Sequence, residues 1–202
     1  MSNLIRINAI ILNPANPFTW ASGWKSPIYC DNRKILSYPN VRRMVTVGFK
    51  DIINEHFSGV EVVAGVATGA IAHGALVANE LNLPFVYVRP EPKKHGLANQ
   101  IEGDILPGQK VVVVEDLIST GKSSLNAVNT LREAGVEVLG MVAIFTYGFE
   151  VAQVNFKNEN VKLVTLGSYS KMIELATKAG TVSPQHVELL HNWRMSPETW
   201  GQ

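Results

Sequence analysis

Four consecutive valines, Val111 to Val114, run directly into two acids, Glu115 and Asp116. A strand with one wet face needs a polar residue at every second position, so an unbroken β-branched run fits a strand covered on both faces, as in parallel sheets. A chain built around such a strand must also supply the helices that cover it. Residues 39–57 do so: Val41, Val45, Phe49, Ile52, Ile53 and Phe57 recur at helical spacing behind Pro39, and Gly59 follows as a stop. Further along, Val60 to Ala67 predicts a buried strand, 70–82 a helix with few charges, and Phe85 to Arg89 a strand. Residues 122–134 predict a helix closed by Gly135, Val136 to Phe145 and Val161 to Leu166 two more strands, and Ser168 to Ala179 an amphipathic helix ahead of Gly180. One short helix and a tail follow Ser183-Pro184. Residues 90–108, with Pro90, Pro92, Gly96, Gly103, Pro107 and Gly108, keep no period and read as a long loop. Alternating strands and helices imply βαβ units with right-handed crossovers, hence an α/β fold: one open, mostly parallel sheet flanked by helices. Residues 1–38, rich in Pro, Trp, Asn and Ser, stand apart from the regular pattern of 39–202, although the whole is expected to be one structural unit.

Composition removes several function classes. Lys and Arg number 18 against 17 Asp and Glu, a net charge of +1 that gives no reason to expect nucleic acid or a membrane surface as partner. The single cysteine, Cys30, rules out an intramolecular disulfide and any zinc site needing two cysteines of this chain. No apolar run approaches the ~18 residues of a membrane span, and Arg6 and Asn8 spoil the only apolar patch near the N-terminus as a signal peptide core. A cytoplasmic location is expected on these grounds.

Ligands of open parallel sheets bind beyond the carboxyl ends of the strands. Three loops leave those ends: 66–70, 89–105 and 115–123. The last belongs to VVVVEDLISTGKSS (111–124) and leads into a helix. Amides at a helix N-terminus, close approach at Gly121, and the side chains of Ser119, Thr120, Lys122 and Ser123 suit an anion. A triphosphate-binding P-loop needs a Gly five residues before the Gly of GKS; that position holds Asp116, so the motif fails. Carboxylates beside a phosphate repel it unless they bind something else, such as a diol or a divalent cation. A ribose carrying a 5-phosphate offers both a diol and an anion. The plainer alternative is a strand that ends in two solvated acids before an ordinary Ser/Thr cap.

Four apolar residues, two acids and a Ser/Thr/Gly loop resemble the signature of the type I phosphoribosyltransferases. The resemblance implies that fold, with residues 1–38 as a small N-terminal hood. It also implies that phosphoribosyl pyrophosphate (PRPP) is bound by Glu115, Asp116, Leu117, Ile118, Ser119, Thr120, Gly121, Lys122 and Ser123, the acids on the ribose hydroxyls and the loop on the 5-phosphate. Residues 64–71, AGVATGAI, resemble the family's pyrophosphate loop, which puts Thr68 and Gly69 among the PRPP contacts and a cis peptide near Ala67-Thr68-Gly69. Residues 89–96, RPEPKKHG, resemble its catalytic loop through Arg89, Lys93, His95 and Gly96; Pro90 stands where a Lys is usual, and Lys94 is the candidate to replace it. As chemistry, three unpaired cations and a His against one acid, Glu91, suit a lid over a polyanion.

Residues 18–29, FTWASGWKSPIY, resemble the N-terminal segment of the orotate branch of that family. This implies orotate as the base, bound by Lys25, Tyr29 and Ser119, with Arg89, Lys93, His95 and Lys25 as the catalytic set. The reaction so implied moves the phosphoribosyl group from PRPP to orotate with Mg2+ held mainly through PRPP, in a homodimer with shared active sites. An Arg usual after the next strand is missing from AIFTYGFEVAQ (143–153), which leaves Tyr147 with backbone donors, or another cation, to meet the orotate carboxylate. Another nucleobase, or a PRPP-sensing protein without catalysis, are the alternatives. His56, His73, His186 and His191 read as structural or surface residues, and so do the tryptophans outside the hood segment.

Overall fold

In the computed structural model, which describes residues 1–20, 22–91, 100–180 and 182–201, the valine run is the interior of a nine-residue strand, Lys110–Ile118. All four valines are completely buried. Burying a valine side chain is worth about 1.5–3 kcal/mol over leaving it exposed, so this run alone ties the strand to both covering layers. Val112 and Val114 join the core on one face and Val111 and Val113 the core on the other, as strand alternation requires.

In chain order the elements are α1 (Ser2–Arg6), β1 (Ile10–Leu12), β2 (Phe18–Thr19), β3 (Lys25–Ser26), β4 (Ile28–Cys30), a 3-10 turn (Asn32–Ser37), α2 (Pro39–His56), β5 (Val62–Val66), α3 (Ile71–Leu81), β6 (Phe85–Val88), β7 (Ile101–Glu102), β8 (Lys110–Ile118), α4 (Lys122–Glu133), β9 (Glu137–Thr146), α5 (Glu150–Asn158), β10 (Leu163–Ser168), α6 (Tyr169–Lys178) and α7 (Pro184–Met195). The main sheet runs β10-β9-β8-β5-β6-β7, parallel throughout except for β7 at its edge. The chain steps outward from β5 to β6, then returns to the other side of β5 to lay down β8, β9 and β10. The order therefore reverses between β5 and β8, and a crevice opens where the two loops part. One face of the sheet is covered by α2, α3, α6 and α7, with Phe49, Ile53, Val77, Met172 and Leu190 in its core; α4 and α5 cover the other through Val128, Leu131 and Phe156.

Residues before α2 form two short antiparallel ribbons, β1 with β4 and β2 with β3. Leu4, Ile10, Ile28 and Ile35 are buried in the same core as α2 and α7, so this segment has no core of its own.

Three details differ from the sequence pattern. The strand does not stop at Val114, because backbone pairing with β9 continues through Glu115, Leu117 and Ile118, and a ladder is indifferent to the charge on its side chains. Helix α5 arises from a region with no evident period; only Ala152 and Phe156 are buried along it, a stripe too narrow to stand out. The long loop after β6 contains β7, which pairs Ile101 with Val88 and Glu102 with Tyr87. Among the described residues no helix is long and apolar enough to cross a membrane.

Candidate active site

The crevice at the β5 and β8 ends holds two adjoining compartments. The first, about 370 Å³, is polar: Asp31, Arg33, Ala67, Thr68, Gly69, Glu115, Asp116 and Ser123 line it. The second, about 270 Å³, is aromatic, with Trp20, Tyr29 and Tyr147 beside Thr19 and Ser119. Cys30 and Leu117 belong to both and form the shared wall.

In the polar compartment the Ala67–Thr68 peptide is cis, at the position the loop resemblance implies. The Ala67 N–H is taken by the Val88 carbonyl (2.9 Å) and the Ala70 N–H by the Val66 carbonyl (3.0 Å), which fixes the loop at both ends while Thr68 and Gly69 face the cleft. A Cβ at Gly69 would run into the Asp116 carboxylate, so only glycine lets this loop lie against the acid.

The two acids are not equivalent. Glu115 is buried, and its carboxyl accepts hydrogen bonds from the Asp116 N–H (2.8 Å) and the Ser124 hydroxyl (2.9 Å). Burial pushes this carboxyl well above the ordinary carboxylate range, and the Asp116 charge pushes the same way. Asp116 is half-buried, and its backbone carbonyl accepts from the Asn32 amide (2.6 Å), which leaves its carboxylate as the one toward the cleft. Gly121 caps α4 at φ +78°, a conformation that favours glycine, and the first helical bond runs from the Leu125 N–H to its carbonyl (2.9 Å), leaving the amides ahead of it at the helix start. Lys122 and Ser123 are exposed there, whereas Ile118, expected among the PRPP contacts, is fully buried in the core on the α4 and α5 side and lines neither compartment, because strand alternation turns its side chain inward. Burial and the nearby Asp116 and Asp31 charges push the Cys30 thiol up, so it contributes a neutral wall and no nucleophile.

His73, in the first turn of α3, is 1% exposed, and among the described residues neither its ring nitrogens nor the Asn32 amide oxygen finds a hydrogen-bond partner. Burial holds the His73 imidazole below its ordinary 6.5, although the Asn32 backbone and the Asp116 charge act against it. The unfolded chain therefore binds this proton more readily than the folded one, and stability falls as pH drops below 6.5. Urea unfolding of the protein and of His73→Leu between about pH 5 and 6.5 should show a slope of up to ~1.4 kcal/mol per pH unit that the variant lacks.

In the aromatic compartment Tyr147 is 2% exposed and packs against Trp20 (5.0 Å between centroids) and Phe149 (5.4 Å). Burial pushes its phenol well up, so it is a neutral donor. A cation stands at the rim: Lys25 Nζ donates to Thr19 Oγ1 at 2.8 Å.

At the far side of the crevice Arg89 lines a narrow third space with Ala67 and Ser123. It is not an unpaired cation, as the sequence suggested: its guanidinium reaches Glu102 of β7 at 3.4 Å, a partner hidden in what read as loop. The Arg89 N–H also donates to the Gln100 carbonyl (2.8 Å), so the two ends of the loop are hydrogen-bonded together. Lys93, Lys94 and His95 lie outside the described residues.

Residues 32–166 match the family of the phosphoribosyl transferase domain. Over 200 residues the chain is 60% identical to an orotate phosphoribosyltransferase of Porphyromonas gingivalis, covering 99% of this chain and 95% of that one. The chain belongs to the orotate phosphoribosyltransferase family. A relative of that name from Streptococcus pneumoniae is 52% identical, with 100% and 96% of the two chains covered. The crystal structure of orotate phosphoribosyltransferase from Aeropyrum pernix superposes with a TM-score of 0.78 at 30% identity, over 90% of this chain and 98% of that chain.

For an orotate phosphoribosyltransferase, the structure gathers Thr68, Gly69, Glu115, Asp116 and Ser123 at one compartment and Tyr29 and Ser119 at the other, with Lys25 at its edge. Sequence reasoning did not find Thr19, Cys30, Asn32, Arg33 or Ser124. Arg33 is exposed and pairs with Asp31 at 2.8 Å; Asn32 and Ser124 hold Asp116 and Glu115 in place. Thr19 and Ser124 lie inside segments 18–29 and 111–124 without being singled out there; Cys30, Asn32 and Arg33 carry no motif, and only the fold brings them to the site.

Proposed function

We propose that this protein transfers the phosphoribosyl group of PRPP to orotate N1, giving orotidine 5'-monophosphate and pyrophosphate. One observation carries the reading: a polar compartment with the Asp116 carboxylate and an aromatic one with a lysine at its rim meet at a common wall, Cys30 and Leu117. A sugar phosphate in the first and a flat anionic base in the second face each other there. The N1–C1' bond forms as the bond from C1' to the diphosphate oxygen breaks; the electron pair leaves with pyrophosphate, and the N1 proton of orotate is lost to the diphosphate or to solvent. The sugar becomes cationic at C1' in the transition state, so the protein's part is to position two anions and steady the charge that departs.

Asp116 accepts hydrogen bonds from the ribose hydroxyls, with Glu115 buried behind it and held by the Asp116 N–H and Ser124, and the loop from Ser119 to Ser123 receives the 5-phosphate at the start of α4. Thr68 and Gly69 offer backbone amides to the diphosphate. Arg89, Lys93, Lys94 and His95 take up its charge as it leaves, and Lys25 meets the orotate carboxylate in place of the usual arginine. Mg2+ would be held mainly through PRPP, with the Asp116 carboxylate as the protein oxygens nearest to it, and would supply neutralisation of the diphosphate charge. A homodimer whose catalytic loops reach the neighbouring site, working in the cytoplasm, completes the reading; one cysteine without a partner suits that compartment.

Incubation with orotate, PRPP and Mg2+ should deplete orotate absorbance. Turnover with a purine or uracil instead would overturn the base, and PRPP binding without any turnover would leave a sensor. Lys25→Ala should raise KM for orotate roughly 10–100-fold, the worth of one hydrogen bond to a charged group; an unchanged KM would remove Lys25 from the base site.

A further inference from the structure

The C-terminal helix α7 places a completely buried tryptophan, Trp193, directly behind the aromatic compartment. Its indole N–H donates to the Lys25 backbone carbonyl at 3.1 Å. Its ring meets Trp20 and Tyr147 edge-on, each with centroids 5.7 Å apart and planes at 85° and 84°. Both of those residues line the cavity. The helix itself is fastened by the Tyr169 hydroxyl, which donates to the Leu190 carbonyl at 3.0 Å. Beyond it, a Cβ built at Gly201 would stand 3.4 Å from the Lys25 Cβ, so the chain's last described residue also lies against this lysine.

Lys25 needs such support. It sits in a ribbon of two residues per strand, paired only as Thr19 with Lys25 and Phe18 with Ser26. A ribbon of that size is not stable by itself. Its long side chain reaches the cavity rim only if the backbone beneath it is held, and tryptophan both fills a buried space and donates one hydrogen bond. None of Trp20, Tyr147 or Lys25 lines the polar compartment.

We propose that Trp193 is a positioning residue of the base site, fixing Lys25 through its backbone carbonyl and bracing the Trp20 and Tyr147 wall. This rests on the assignment of Lys25 to orotate. Its signature is selective: the base is affected and PRPP is not.

Trp193→Phe keeps an aromatic ring and removes only the N–H. Steady-state kinetics should show KM for orotate raised roughly 3–10-fold, the loss of one neutral hydrogen bond, with KM for PRPP within about twofold. If Trp193 acts through Lys25, adding Trp193→Phe to Lys25→Ala should raise KM for orotate no further. Equal changes in both KM values, a fall in kcat alone, or full additivity in the double variant would overturn the proposal in favour of a purely structural tryptophan. A silent Trp193→Phe beside an impaired Lys25→Ala overturns this proposal alone; a silent Lys25→Ala overturns the lysine's role and this proposal with it.

Discussion

Asp116→Ala is expected to lower kcat/KM for PRPP by roughly 100- to 10,000-fold while the protein stays folded. The magnitude follows from two hydrogen bonds between a carboxylate and the ribose hydroxyls, about 1.5–3 kcal/mol each, at about 1.4 kcal/mol per tenfold. The fold should tolerate the change because the structural bonds at this position use the backbone: the Asn32 amide holds the Asp116 carbonyl, and the Asp116 N–H reaches Glu115. Removing the Asp116 charge also relieves Glu115, whose carboxyl that charge helps to push up. Glu115 offers the contrast. Its loss would strand a buried Ser124 hydroxyl and a backbone N–H, at about 1–3 kcal/mol for each group left unsatisfied. Steady-state kinetics with varied PRPP, set beside thermal unfolding, separates the two acids. A kcat/KM for Asp116→Ala within about threefold of the parent would remove the carboxylate from the sugar site.

The second large effect is expected from the mildest of substitutions, Gly69→Ala. Its new Cβ would stand 2.6 Å from the Asp116 Cγ and 2.8 Å from one carboxylate oxygen, closer than such atoms approach. The obstacle is the end of a side chain, so the carboxylate can swing aside and the fold loses little. The ribose then loses its acceptor, and kcat/KM for PRPP should fall tenfold to a hundredfold. Combined with Asp116→Ala, the glycine substitution should cost little more, since the group it displaces is already gone. Additive losses in the double variant would show that Gly69 serves PRPP by some other route, such as its own amide.

The parts of the fold that were legible in the sequence are those written in consecutive residues. Val111 to Val114 announced a doubly covered strand, and the periodicity of 39–57 announced α2 to within a residue. Three loops were placed at the strand ends, and residues from all three border the crevice. What stayed hidden depends on residues distant in sequence. Asn32 meets Asp116 across 84 positions and Trp193 meets Lys25 across 168, and no local pattern records such a meeting. Arg89 looked unpaired because Glu102 sat in a stretch whose two-residue strand is too short to announce itself. α5 stayed hidden for a related reason: a helix that buries so little has little periodicity to show.

The crowding of aromatic rings behind the base compartment has an optical consequence. All four tryptophans belong to that end of the molecule: Trp20 lines the cavity, Trp24 stacks on Trp20 at 6.5 Å, Trp193 braces Trp20 from behind, and Trp200 precedes Gly201, which lies beside Lys25. No indole lines the polar compartment. The protein's own ultraviolet emission should thus act as a local gauge, changing more when a base enters than when a sugar phosphate binds alone.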